Sequence, residues 1–83
     1  MTCPLSGVCL VRAVRQGGGL LTTWDLEAED GRRWWVRFRR GVLEVYAADD
    51  LEAPLWEVEP CGSREWSGEM ETDEMLELTG ANL

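Results

Sequence analysis

The sequence predicts a mostly β fold: a small antiparallel sheet of five or six strands, half-rolled or barrel-like, with one short C-terminal helix. Three observations lead there. Residues 20–48 alternate apolar and polar side chains in three runs separated by glycine-bearing turns. Leu55 to Glu59 alternates again, as does Glu65 to Glu71 beyond the turn Pro60-Cys61-Gly62-Ser63. Thr72 to Gly80 then carries the signals of a capped helix. At 83 residues the chain is expected to be one domain, 1–83, small enough that every large apolar side chain matters. Its five tryptophans, Trp24, Trp34, Trp35, Trp56 and Trp66, are expected to supply most of the core.

Val8 to Gln16 is rich in valine, which favours a strand, although Ser6 as a cap and Gly17 as a stop would suit a short helix. Gly17-Gly18-Gly19 reads as a flexible connection. In the next run Leu20, Thr22, Trp24, Leu26 and Ala28 share one face, and in the run after it Trp34, Val36 and Phe38 do. Setting these apolar faces together requires paired residue numbers with an even sum, because side chains alternate with period two. A two-residue Asp30-Gly31 loop gives an odd sum. A three-residue loop, Glu29-Asp30-Gly31 with Gly31 left-handed, gives the even sum and pairs Leu26 with Trp34, Trp24 with Val36 and Glu27 with Arg33. Arg40-Gly41 works as a two-residue turn, setting Phe38 beside Leu43, Val36 beside Val45, Arg37 beside Glu44 and Trp35 beside Tyr46. The last two runs form a second, acid-faced hairpin. Thr72 caps a helix over residues 73–78, with acids in its first turn and Gly80 past its end.

Charge is divided along the chain. Residues 1–43 hold seven arginines against four acids, a net of +3, while residues 44–83 hold Arg64 against twelve acids, a net of −11. So lopsided a second half favours a basic partner and repels duplex DNA and anionic membrane. Two surfaces are candidates for binding. The first is acidic: Glu57 and Glu59 on one strand, Glu65, Glu69 and Glu71 on its neighbour, and Asp73, Glu74 and Glu77 on the helix. Carboxylates at alternate strand positions repeat about every 7 Å and can stand in for a phosphate backbone. The plain alternative is a solvated face that keeps the protein soluble and its edges unpaired. The second surface is Arg33, Trp35, Arg37, Arg39 and Tyr46, residue types that stack on bases and that dominate protein interfaces. Its plain alternative is that the N-terminal segment or the helix covers Trp35 and Tyr46.

Chemistry is narrowly bounded, because the chain has neither His nor Lys. Imidazole and amine bases and histidine metal sites are therefore excluded. Cys3, Cys9 and Cys61 include no C-x-x-C pair, so no structural metal or cofactor is expected. Cys9 and Cys61 are expected to be buried and inert, with a bridge from Cys61 to Cys3 or Cys9 as the alternative. Asp49, Asp50 and Glu52 cluster in a loop but lack the spacing of a calcium site. The chain shows no signal-like segment and no membrane-length apolar run, so it is expected to be cytoplasmic with reduced thiols. These features point to a non-enzymatic inhibitor that occupies the nucleic-acid-binding surface of a basic protein, in the manner of DNA mimics, phage anti-defence proteins and acidic antitoxin or immunity proteins. The runner-up readings are a β-module binding a hydrophobic or single-stranded nucleic-acid ligand on the Trp35/Tyr46 face, and an accessory subunit of a larger complex.

Overall fold

A computed structural model describes residues 3–19, 21–59 and 69–83. Strands β1 (Leu10–Gly18), β2 (Leu21–Ala28), β3 (Arg33–Arg39), β4 (Val42–Ala47) and β5 (Trp56–Val58) form one antiparallel sheet in sequence order, followed by helix α1 (Thr72–Thr79). The valine-rich N-terminal run is thus a strand. The sheet is open, with β1 and β5 at opposite edges, so of the half-rolled and barrel-like forms expected it is not the closed one. Closure is not needed to bury its apolar face, because chain segments from both ends cover it.

The alternation fixes the register as the parity argument requires. Leu26 faces Trp34, Trp24 faces Val36 and Glu27 faces Arg33 across β2 and β3. At their turn the Ala28 amide donates to the Arg32 carbonyl at 2.8 Å and the Gly31 amide to the Ala28 carbonyl at 3.0 Å. Gly31 takes φ 91°, the left-handed position that ends a three-residue bulged loop. Between β3 and β4, Arg40 and Gly41 have φ 54° and 77°, as a two-residue primed turn demands. Glycines 17 and 18 belong to β1 and pair with Thr22 and Leu21, so they extend the first hairpin instead of acting as a loose connection.

The core lies on one side of the sheet. Thr22, Trp24, Leu26 and Ala28 of β2, Trp34, Val36 and Phe38 of β3, and Leu43 and Val45 of β4 are buried there, with Trp56 and Val58 of β5 packed at the margin. Two of the described tryptophans, Trp24 and Trp34, are therefore core residues, while Trp35 and Trp56 are half-buried and Trp66 lies outside the described residues. Leu5 from the N-terminal segment and Met70, Met75 and Ala81 from the C-terminal one complete the core. An eight-residue helix cannot hold itself in water, so α1 depends on this contact.

Three side-chain and main-chain links bind the covering layer to the sheet. The Trp24 indole N–H donates to the Thr72 hydroxyl at 3.1 Å. Arg15, which shares the core face with Trp24, donates from Nε to the Met70 carbonyl at 2.9 Å. Asn82 forms a parallel bridge with Cys9, its amide donating to the Val8 carbonyl at 2.9 Å and its carbonyl accepting from Leu10 at 2.7 Å. Thr72 therefore does not cap α1. Glu71 occupies the N-cap position without a side-chain cap bond, because the threonine hydroxyl is committed to a buried indole that needs an acceptor. At the other end Gly80, with φ 80°, closes the helix by donating to the Leu76 carbonyl, where the sequence places the stop.

The second hairpin is corrected where it can be seen. Its first strand exists as the three residues of β5, with Trp56 and Val58 toward the core and Glu57 outward. Glu69 to Glu71 are not strand: Met70 is buried under the sheet between two exposed glutamates, as the lead-in to α1. Glu65 to Gly68 and the turn before them lie outside the described residues. Cys3 and Cys9 are free thiols, Cys3 buried and Cys9 exposed, which corrects the expectation of a buried Cys9. Backbone bonding of residues 8–10 on both sides leaves the Cys9 side chain pointing away from the core. Cys61, expected to be buried or bridged, lies outside the described residues.

Candidate functional site

Outward-facing residues of the sheet form rows that cross the strands, and the pairing register sets each row. Arg12, Glu27 and Arg33 make one row. Val14, Asp25, Trp35 and Tyr46 make the next. Gln16, Thr23, Arg37, Glu44 and Glu57 make the third. Just before β5 the Leu55 amide donates to the Val45 carbonyl at 2.7 Å, one residue out of step with the Val45–Trp56 pairing. α1 and the N-terminal segment both pack on the opposite face, so neither covers Trp35 and Tyr46.

Within this face, Arg37 organises a compact polar network. Its Nε and terminal nitrogen both donate to Glu44 Oε1, at 2.9 and 2.7 Å, and the terminal nitrogen also donates to the Tyr46 hydroxyl at 2.8 Å. The guanidinium lies 5.4 Å from the Tyr46 ring centroid and 5.8 Å from that of Trp35, and the two rings are 5.4 Å apart at 52°. Such a fork locks both aromatic rotamers. Burial pushes the Tyr46 hydroxyl above its ordinary range, and the adjacent Glu44 charge adds to the effect. Tyr46 is only 3% exposed and Arg37 is already neutralised, so neither presents a free plate or a free cation for a nucleic-acid base. Arg33 reaches Glu27 only at 3.9 Å and stays largely in solvent.

The acidic residues fall on two sides of the molecule. Glu57 stands beside Glu44 on the outer face of the sheet, and Glu59 follows it, exposed. Glu69, Glu71, Asp73, Glu74 and Glu77 belong to the covering layer on the far side, all exposed except the half-buried Glu74. Glu65 lies outside the described residues. The continuous carboxylate lattice expected from the sequence is thus divided between β5 and α1, because the chain passes under the sheet at Met70. Asp73 and Glu74 in the first turn are favoured by the helix dipole, and the last turn holds no basic residue.

The perturbed groups lie at separate places. Burial raises the Cys3 thiol in the N-terminal segment, and hydrogen bonds from the Arg32 backbone and side chain lower Asp30 at the β2–β3 turn. Among the described residues no three Cys, Asp or Glu side chains converge on a metal site, and no helix is long and apolar enough to cross a membrane. One feature the sequence reading missed is a shallow groove of about 480 Å³ beside that turn, where Pro4, Ala47 and Trp34 meet Arg32, which stacks 5.1 Å from the Trp34 ring centroid. Another is Val14, which joins the aromatic row only once the register of the edge strand is known. Comparisons with protein-family models, with curated proteins and with solved structures find no match to this chain.

Proposed function

We propose that this protein is a small non-enzymatic inhibitor that binds a basic, nucleic-acid-binding protein through its covering layer. The separation of charge between the two layers carries this reading. On the outer face of the sheet Arg12, Arg33, Arg37 and Arg39 are matched by Asp25, Glu27, Glu44 and Glu57, four against four. Residues 69–83 hold five carboxylates and no basic residue. The net charge of −8 therefore resides outside the sheet face, and its largest described block sits on α1 and its lead-in. A compact anionic ridge on a folded support steers toward cationic grooves and competes with phosphate there.

The scattered perturbed groups support a binding role over a catalytic one, and the commitment of Arg37 and Tyr46 favours the acidic layer over base stacking on the sheet. A nuclease-treated lysate passed over the immobilised protein, with elution by salt steps and identification by mass spectrometry, tests the proposal. The expected result is a basic nucleic-acid-binding protein released at moderate salt and no longer retained by the triple variant Glu71→Arg, Asp73→Arg, Glu77→Arg. Equal retention by the variant, or a partner that survives high salt, would overturn it.

A further inference from the structure

We infer that the groove beside the β2–β3 turn is a binding site for a small monocarboxylic acid with a flat apolar body, its carboxylate held by Arg32. The groove forms where the sheet ends. Trp34 pairs with Ala47 across β3 and β4, and a methyl group beside an indole leaves a step in the surface. After β4 the chain folds back, the Asp50 amide donating to the Ala47 carbonyl at 3.1 Å, and this turn brings Ala48 and Asp49 into the lining. Pro4 of the N-terminal segment completes the apolar wall. The volume of about 480 Å³ falls within the roughly 300–1,000 Å³ of small-molecule sites.

Within this groove Arg32 is pre-organised for an anion. Its backbone amide donates to Asp30 Oδ1 at 3.1 Å and its side-chain Nε to Asp30 Oδ2 at 2.7 Å. Its guanidinium also lies 5.1 Å from the Trp34 ring centroid. The turn and the indole thus hold the guanidinium at two points, while its two terminal nitrogens hydrogen-bond to no described residue. The side chain is 60% exposed, so a ligand can reach them. Two parallel N–H groups on one planar fork match the two oxygens of a carboxylate, and a fork already held in place loses little freedom on binding.

Charge selects the class of ligand. The lining holds two guanidiniums, Arg32 and Arg33, against one carboxylate, Asp49. Arg33 reaches Glu27 only at 3.9 Å, so its charge is available as well. One surplus positive charge suits a single negative one, whereas a phosphate dianion would be repelled by Asp49 and by Asp30 behind Arg32. Pro4, Trp34, Ala47 and Ala48 offer the rest of the ligand apolar contact, and no buried side-chain polar atom there lacks a partner, so the body needs no hydrogen-bonding groups. Because the groove is shallow, a flat body gains the most contact and the affinity is weak. None of these residues belongs to the covering layer of residues 69–83, so this inference and the proposed function can fail separately.

Titration of the isotope-labelled protein with benzoate, followed through backbone amide and arginine Nε–H shifts in two-dimensional NMR, tests the inference. The expected result is a saturable response centred on Gly31, Arg32, Ala47 and Ala48 with a Kd in the millimolar range. Acetate, which lacks the apolar body, binds several-fold more weakly, and the neutral isostere benzamide does not saturate. Arg32→Gln abolishes saturation by benzoate, Arg32→Lys weakens it several-fold because the charge remains without the fork, and Asp49→Asn tightens it several-fold. No saturable response, a response centred elsewhere, equal binding of benzoate and benzamide or of benzoate and acetate, or saturation unchanged in Arg32→Gln would each overturn it. Should Arg32→Gln disturb the turn, the three probes on the unaltered protein decide the matter alone.

Discussion

Thr72 and Tyr46 show how one polar atom redirects a side chain from the role its sequence position suggests. A threonine before an acidic helical turn has the form of an N-cap, yet its hydroxyl accepts from Trp24, whose ring is fully buried and whose N–H would otherwise lack a partner. An unsatisfied buried donor costs about 1–3 kcal/mol, at least as much as a missing cap, so the indole wins. Tyr46 gives a residue-scale prediction in pH. Burial raises its folded-state pKa above the unfolded value near 10, so the native state holds the phenolic proton more tightly. This contribution to stability is fully present below about pH 10 and is lost as pH rises through the folded pKa. Since the chain has a single tyrosine, phenolate absorbance reports it directly. The expected midpoint lies above that of the urea-unfolded chain, and Glu44→Gln moves it back toward the ordinary value.

Among elements, the first hairpin is the one the sequence described least well. Three successive glycines suggested slack, but Gly17 lies within β1 at φ 83°, opposite Thr22. A Cβ there would stand 2.4 Å from the Leu21 carbonyl oxygen. The glycine is needed by close backbone approach as well as by its dihedral angle. Gly17→Ala is therefore expected to destabilise the fold by about 2–3 kcal/mol, read from the urea midpoint. Gly18→Ala meets no such neighbour and serves as the comparison. The β2–β3 and β3–β4 hairpins were legible because two constraints, side-chain parity and turn geometry, had to be met at once. No such pair of constraints exists for residues 69–71. Their alternation, polar, apolar, polar, suits a strand, but it equally suits one methionine turned under the sheet between two solvated glutamates.

For the molecule as a whole, stability depends on both chain ends meeting beside β1. The Gly7 amide donates to the Gly80 carbonyl at 2.9 Å, and Asn82 exchanges two backbone hydrogen bonds with Val8 and Leu10. Ala81 is buried between them. Deleting residues 80–83 is expected to remove about 3 kcal/mol or more, from four backbone bonds at about 0.5–1.5 kcal/mol each and the lost apolar burial. That is a large share of the 5–15 kcal/mol typical of such domains, and chemical denaturation would read it as a large drop in midpoint. The sequence by itself determined the three-stranded meander, its register, the C-terminal helix and the acidic second half, since all four follow from period-two alternation, turn chemistry and charge, which act over a few residues. Only the tertiary structure decided which sheet face the helix covers, that the two chain ends pair, and that the carboxylates of β5 and α1 part to opposite sides. Those outcomes depend on where the chain crosses under the sheet, a choice made by contacts such as Trp24 to Thr72 and Arg15 to Met70 that join residues about fifty positions apart and leave no local periodic trace.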